Sequence, residues 1–246
     1  MYRKIFLVLW AISFLSSCGD NNKVDIRGDD SSKLLAEKML VAMGGKKLWA
    51  NLKSIHIRTI HRDGRREYPS VSEIWANIDE KKTLTLNASN DRQSVKVVHG
   101  NDGWEIKNGE MLILPTEELY PMLRWYRFNF YTNMKRLATG GEQYEIKLNG
   151  KQRFDIYENG EYVGGFELND DNLPFIFYSP GIFTGVKENF LKFVEWDAYG
   201  GYSFPKIITG ENTLIINETE FFEASSKPAE KAFQVSFDPV ELTNKY

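Results

Sequence analysis

The sequence predicts an α+β fold built mainly on an antiparallel meander of strands. Three observations carry this reading. From Ser54 onward, apolar and polar residues alternate in short runs, the period of strands with one buried face. Between the runs stand Asp63-Gly64, Asn108-Gly109, Asn149-Gly150 and Asn159-Gly160, pairs that supply the positive φ angles of tight hairpin turns. Two long stretches, 29–43 and 116–137, follow helical spacing instead.

The N-terminus precedes this pattern. Arg3 and Lys4 form a positive region, Ile5 to Leu15 an apolar run, and Ser16 and Ser17 are small. The run is too short to span a bilayer, which takes about 20 residues, and residues 1–17 read as an export signal. The tetrad Leu15-Ser16-Ser17-Cys18 resembles the lipobox of bacterial lipoproteins. That likeness implies cleavage before Cys18, lipid on its thiol, and further acylation of its amine. Several chains anchor a protein far more firmly than one. Residues 18–28 are polar and aperiodic, so a lipidated cysteine followed by a flexible tether is expected there.

The domain itself is expected over 29–246. It shows no internal repeat, low-complexity tract or internal boundary, and its length suits one large β-rich unit. Leu35, Met39, Ala42 and Met43 share a face of the first helix, capped by Asp30 or Ser31 and stopped by Gly44-Gly45. Lys47 to Leu52 adds a turn. Strands then follow around Ile55–Thr59, Ile74–Ile78 and Thr83–Ala88. Later strands are expected at 94–99, 103–107, 110–114, 143–148, 152–157, 161–168, 174–178, 191–197, 204–209, 212–223 and 232–237. Between 116 and 137, Leu119, Leu123, Tyr126, Phe130, Met134 and Leu137 form a helical stripe. Thr116 caps it, Glu117 and Glu118 suit its first turn, and Pro121 is expected to kink or restart it. Trp125 and Phe128 fall off the stripe.

Composition excludes some functions. The net charge is −3, and losing Arg3 and Lys4 makes the chain more acidic, so the basic footprint of a nucleic-acid binder is missing. Cys18 is the only cysteine, so no intrachain disulfide is possible. Catalytic tools are few. The histidines are His56, His61 and His99, and the first two face opposite sides of a continuous strand, which is poor geometry for a shared metal. Gly201-Tyr202-Ser203 lacks the second glycine of a nucleophile elbow, and Gly44-Gly45 follows a helix rather than opening one. No catalytic residue, metal ligand or cofactor site is assigned.

The aromatics are more suggestive. Tyr120, Trp125, Tyr126, Phe128, Phe130 and Tyr131 crowd one helical segment, while Trp75 and Trp104 stand on strands. Two readings stay open: a large aromatic core, or an apolar cavity under a helix that takes an acyl chain. For the cavity, the candidate ligand-binding residues are Trp75, Trp104, Trp125, Tyr126, Phe128 and Phe130.

Several motifs act together. Met43-Gly44-Gly45 leads to Leu48-Trp49 and Leu52-Lys53-Ser54-Ile55, then to His99-Gly100-Asn101-Asp102-Gly103-Trp104, and finally to Phe193–Pro205, reading F-V-E-W-D-A-Y-G-G-Y-S-F-P. Over most of 30–240 the chain resembles LolA/LolB-type outer-membrane lipoprotein-sorting proteins, and more closely their Bacteroidota relatives. The resemblance implies a strongly bent antiparallel sheet, a half-open barrel with helices across its concave side. It also implies holding of lipid or lipoprotein acyl chains without catalysis, in the outer membrane or periplasm. The lipobox is closer to the anchored acceptor than to the soluble carrier, and only Gly181-Ile182-Phe183-Thr184-Gly185 has the character of the acceptor's exposed apolar loop. The expected function is a lipid-anchored envelope protein that binds a hydrophobic ligand. The alternatives are an envelope lipoprotein with a filled core that binds protein or glycan on its surface, and a hydrolase without a recognisable motif. The expected partners are a membrane, through the anchor, and a lipid or acyl chain; nothing sets the oligomeric state.

Overall fold

The computed structural model describes residues 23–90, 93–107, 110–181, 188–210 and 214–229. The export signal, Cys18, the Asn108-Gly109 turn and the expected strand at 232–237 lie outside them. A short strand β1 (Arg27–Gly28) and helices α1 (Asp30–Ala42) and α2 (Lys46–Ala50) open the described chain. A first meander follows: β2 (Ser54–Asp63), β3 (Ser70–Asn77), β4 (Lys82–Ala88), β5 (Gln93–His99), β6 (Asp102–Lys107) and β7 (Glu110–Ile113). Helices α3 (Thr116–Phe128) and α4 (Phe130–Thr139) interrupt it. The second meander is β8 (Tyr144–Leu148), β9 (Arg153–Glu158), β10 (Glu161–Leu168), β11 (Pro174–Pro180), β12 (Glu188–Tyr199), β13 (Tyr202–Thr209) and β14 (Ile215–Ser225).

All fourteen strands join one sheet, ordered β1-β8-β9-β10-β11-β12-β13-β14-β2-β3-β4-β5-β6-β7. The sheet is large and curved and does not close into a barrel. One non-local pairing welds the meanders: β14 runs antiparallel to β2 from Ile215 opposite Asp63 to Ser225 opposite Ser54. A bulge between Thr219 and Phe221 lets Phe222 face inward beside Ile57. The Asn159-Gly160 turn adopts positive φ at both residues, 51° and 84°, as its tight hairpin requires.

Alternation sorts the side chains onto two faces. The inner face, under the helices, carries Phe154, Phe166, Phe177, Phe193, Phe204 and Phe222 in the main core, joined by Met39, Leu40, Trp49, Met134 and Leu137 from the helices. The outer face of the first meander has its own apolar cluster: Leu84, Val95, Val97 and Ile106, flanked by Trp75, Leu86 and Trp104.

Three expectations need correction. The tether does not run through residue 28. Val24 and Ile26 are buried in the main core, at 8% and 5% exposure, and Arg27–Gly28 pairs in parallel with Glu145–Ile146. Two apolar residues spaced by one are too short a pattern to read, yet enough to dock. Asp29, not Asp30 or Ser31, caps α1, accepting a hydrogen bond from the Ser32 N–H at 2.8 Å. The segment 116–137 is not one helix, and its break is at Asn129 rather than Pro121. Asn129 is extended (φ −75°, ψ 163°) and ends α3. Its Oδ1 accepts from the Thr132 N–H at 2.9 Å, capping α4, while its Nδ2 donates to the Trp125 carbonyl at 2.7 Å. Pro121 forfeits one intrahelical hydrogen bond without ending the helix.

Three of the motifs behind the sequence resemblance, Met43-Gly44-Gly45, Leu48-Trp49 and the β12–β13 turn, meet in space. Gly44, at φ 105°, lies so close to Gly201 that a Cβ there would sit 2.1 Å from the Gly201 carbonyl oxygen. Trp49 donates through Nε1 to the Met43 carbonyl at 2.8 Å and packs edge-on against Tyr202 at 5.1 Å. Tyr202 donates to the Leu48 carbonyl and Ser203 to that of Ala42. This clasp ties α1 and α2 to the β12–β13 hairpin.

Candidate functional site

Helix α3 does not seal the inner face. Between it and the sheet lies a cavity of about 550 Å³, walled by Trp125, Phe128, Phe130, Tyr131, Phe177 and Phe193 among others. That volume falls in the range of small-molecule pockets, about 300–1,000 Å³. A second cavity of about 510 Å³ lies on the other side of Trp125, lined by Thr83, Thr85, Asn87, Lys96, Glu118 and Met122. Ile74, Pro121 and Trp125 border both.

The walls differ because the elements behind them differ. Phe130 opens α4 and meets the rings of Trp49, Tyr131, Phe166, Phe177, Phe193 and Trp196 within 6.2 Å, so it forms the floor. Pro121, Arg124, Trp125 and Phe128 recur at helical spacing on α3 and form the roof. Asn189, Leu191 and Phe193 alternate along β12 and form one side. The roof is tied down at its rim. Lys96 on β5 donates to Glu118 at 2.7 Å, which holds that carboxyl below its usual range, and Arg127 donates to Glu161 at 2.7 Å.

Of the six candidate ligand residues, the structure brings Trp125, Phe128 and Phe130 together around the larger cavity. Tyr126 is buried on the far side of α3 beside Thr83, and burial pushes its hydroxyl pKa well up. Trp75 and Trp104 are on the outer face, in the row Trp75, Leu84, Val97 and Trp104, so the sheet separates them from the cavity. The sequence held the signal for that: Trp75 lies between Ile74 and Ala76, which both face the main core. Sequence reasoning also missed Arg124, which lines the cavity. The signal for it is the helical spacing of 121, 124, 125 and 128, all of which line the cavity.

Among the described residues no catalytic arrangement accompanies the cavity. Its walls hold no histidine or carboxylate among the described residues. His56 is on the outer face, hydrogen-bonded to Glu73 at 2.7 Å and stacked on Trp75. His61 turns inward to Asn217 and Ser72. Ser203 is a strand residue bonded to a helix carbonyl. Of the apolar loop, only Gly181 falls within the described residues.

No family model and no curated protein sequence matches the chain. Among solved structures it is similar to a DUF1329 family protein from Desulfovibrio piger, at 8% identity and a TM-score of 0.50, over 85% of this chain and 99% of that one. It is also similar to a LolA superfamily protein from Nitrosomonas europaea, at 10% identity and TM-score 0.48, over 82% and 97% of the two chains. A third is an outer-membrane lipoprotein-sorting protein domain from Vibrio parahaemolyticus, at 14% identity and TM-score 0.42, over 81% and 97%. Likeness at such identities concerns architecture alone, and the architecture here is an open curved sheet with helices over one face.

Proposed function

We propose that this is a lipid-anchored envelope protein that holds a hydrophobic ligand, an acyl chain or a lipid bearing one, in the cavity under α3 and performs no chemistry on it. The observation that carries the reading is the cavity: about 550 Å³, walled mainly by aromatic and aliphatic side chains, beside a core of fully buried aromatics. An apolar cavity of this size is stabilised by an apolar occupant, at about 0.8 kcal/mol per buried methylene. Trp125, Phe128 and Phe130 are the residues proposed to touch it. The anchor is proposed to be Cys18, for the lipobox before it.

Two experiments test the reading. Delipidated protein is titrated with a fluorescent fatty acid, and saturable binding is expected; its complete absence would sink the cavity proposal. Cys18→Ala is expected to move the protein out of the membrane fraction, and unchanged detergent partitioning would sink the anchor. A second reading, binding of a protein partner, draws on β7, an edge strand among the described residues. Its Met111 and Ile113 are 69% and 86% exposed on the outer face. Crosslinking to envelope proteins that fails after Ile113→Lys would favour it.

A further inference from the structure

The cavity is not apolar throughout. Arg124 is the one charged side chain among the described residues that line it. Its guanidinium stands over the Phe128 ring, with Cζ 4.7 Å from the centroid. Nη1 donates to the Tyr120 hydroxyl at 3.1 Å and Nη2 to the Gly181 carbonyl at 3.2 Å. The Nε–H is buried and meets no acceptor among the described residues. No carboxylate among the described residues pairs with Arg124, whereas its neighbour Arg127 pairs with both Glu158 and Glu161. A buried cationic donor left without an acceptor is costly, and the guanidinium edge suits the two oxygens of a carboxylate or phosphate.

The surroundings give the cavity a direction. Gly181 follows Pro180 at the end of β11, so Arg124 sits where β11 leaves the sheet. Ser179 and Asn189 are directly opposite each other on β11 and β12 at that same end, and both line the cavity. Phe130, Phe177 and Phe193 line it further along the strands. One end therefore offers a cation, a hydroxyl and an amide, and the other offers rings.

We propose that the cavity selects an anionic amphiphile, with its carboxylate or phosphate head on Arg124 at the Ser179–Asn189 end and its chain running toward Phe130 and Phe193. This rests on the acyl-binding reading above and specifies the ligand class. The test uses the purified full-length protein, delipidated, and three probes: dodecanoate, dodecyl phosphate and methyl dodecanoate. Each displaces a fluorescent fatty acid. At least one anionic probe is expected to bind about tenfold tighter than the neutral ester, and the tighter of the two tells a fatty-acid head from a phosphate head. Arg124→Gln is expected to erase that preference, lowering affinity for the anionic probes about tenfold more than for the ester, and Arg124→Lys to restore part of it. Urea unfolding of both variants checks that the fold is retained. Equal binding of ester and anions by the native protein would overturn the proposal and leave the acyl-binding reading standing. So would an equal loss for all probes in Arg124→Gln. Failure of every probe to bind would overturn both.

Discussion

The segment from Thr116 to Thr139 carries one crowd of aromatics in sequence but two environments in space. Its second half, α4, is part of the core: Phe130, Tyr131, Met134 and Leu137 are buried against strands and α2. Its first half, α3, is a roof over open volume, and Trp125 is only partly buried between two cavities. The two helices are also held differently. Apolar packing holds α4, while Lys96–Glu118 and Arg127–Glu161 pin α3 at the exposed rim, and such pairs contribute about 0–1 kcal/mol each. A filled core and a ligand cavity therefore coexist here on the two sides of Asn129, and the packed half fixes where the loosely held half must lie.

Substitutions in the core packed around α4 should have the largest effects. Phe166 is fully buried among Phe130, Phe154 and Phe177. Phe166→Ala is expected to cost about 3–5 kcal/mol in urea unfolding. A loss below about 1 kcal/mol would mean that this half is as open as the other. Removing residues up to Gly28 strips Val24 and Ile26 from the same core, and at about 1.5–3 kcal/mol per buried side chain it should lower stability nearly as much. Unchanged cooperativity and midpoint would return this segment to the role of a tether.

Most of the fold was legible because it is local. Strand alternation, the Asn-Gly turns and the two helical stretches each depend on residues within one or two turns of each other. What was not legible is non-local or small. No local pattern announces that β14 pairs with β2, or that Arg27–Gly28 adds to β8. Asn129 carries no signal at the level of periodicity, since one polar residue among aromatics leaves the stripe intact. Its two-way capping emerges only from geometry. Trp75 differs for another reason: its parity sets it on the face opposite Ile74 and Ala76, and aromatic character does not decide which face a ring occupies. Alternation names two faces without saying which one the helices cover, and here the outer face also carries an apolar cluster.

Asn129 tests the boundary itself. Asn129→Ala removes the cap of α4 and the hydrogen bond to the Trp125 carbonyl, and is expected to cost roughly 1–2 kcal/mol. It should also weaken fatty-acid binding, because the roof loses its fixed angle to the floor. A stability loss with unchanged affinity would show that α3 keeps its place without this joint. Trp125→Ala reverses the weighting. With cavity on both sides it should cost less than half of the 3–5 kcal/mol of a packed aromatic, while fatty-acid affinity falls about tenfold or more. A full core penalty with intact binding would place Trp125 in the packed half.

The smallest effect is expected at Tyr126, which packs beneath α3 on the side away from the larger cavity. Its ring is buried at 4% exposure, and its hydroxyl, beside Thr83, forms no well-made hydrogen bond among the described residues. Tyr126→Phe keeps the ring and removes a poorly satisfied polar group, so unfolding free energy near pH 7 should stay within about 1 kcal/mol of the native value. The difference should appear at high pH. Burial raises the folded-state pKa of Tyr126, as it does that of Tyr131. A raised phenol pKa contributes stability that is complete below the unfolded value, near 10, and is lost as the pH climbs toward the folded one. The native protein should therefore lose stability above about pH 10, and Tyr126→Phe should lose it less steeply because one of these groups is gone. Urea titrations near pH 7 and near pH 11 measure both slopes. A loss of more than about 2 kcal/mol at neutral pH would reveal a strong hydrogen bond from this hydroxyl, and would make the side of α3 facing Thr83 a built contact rather than part of a loosely held roof.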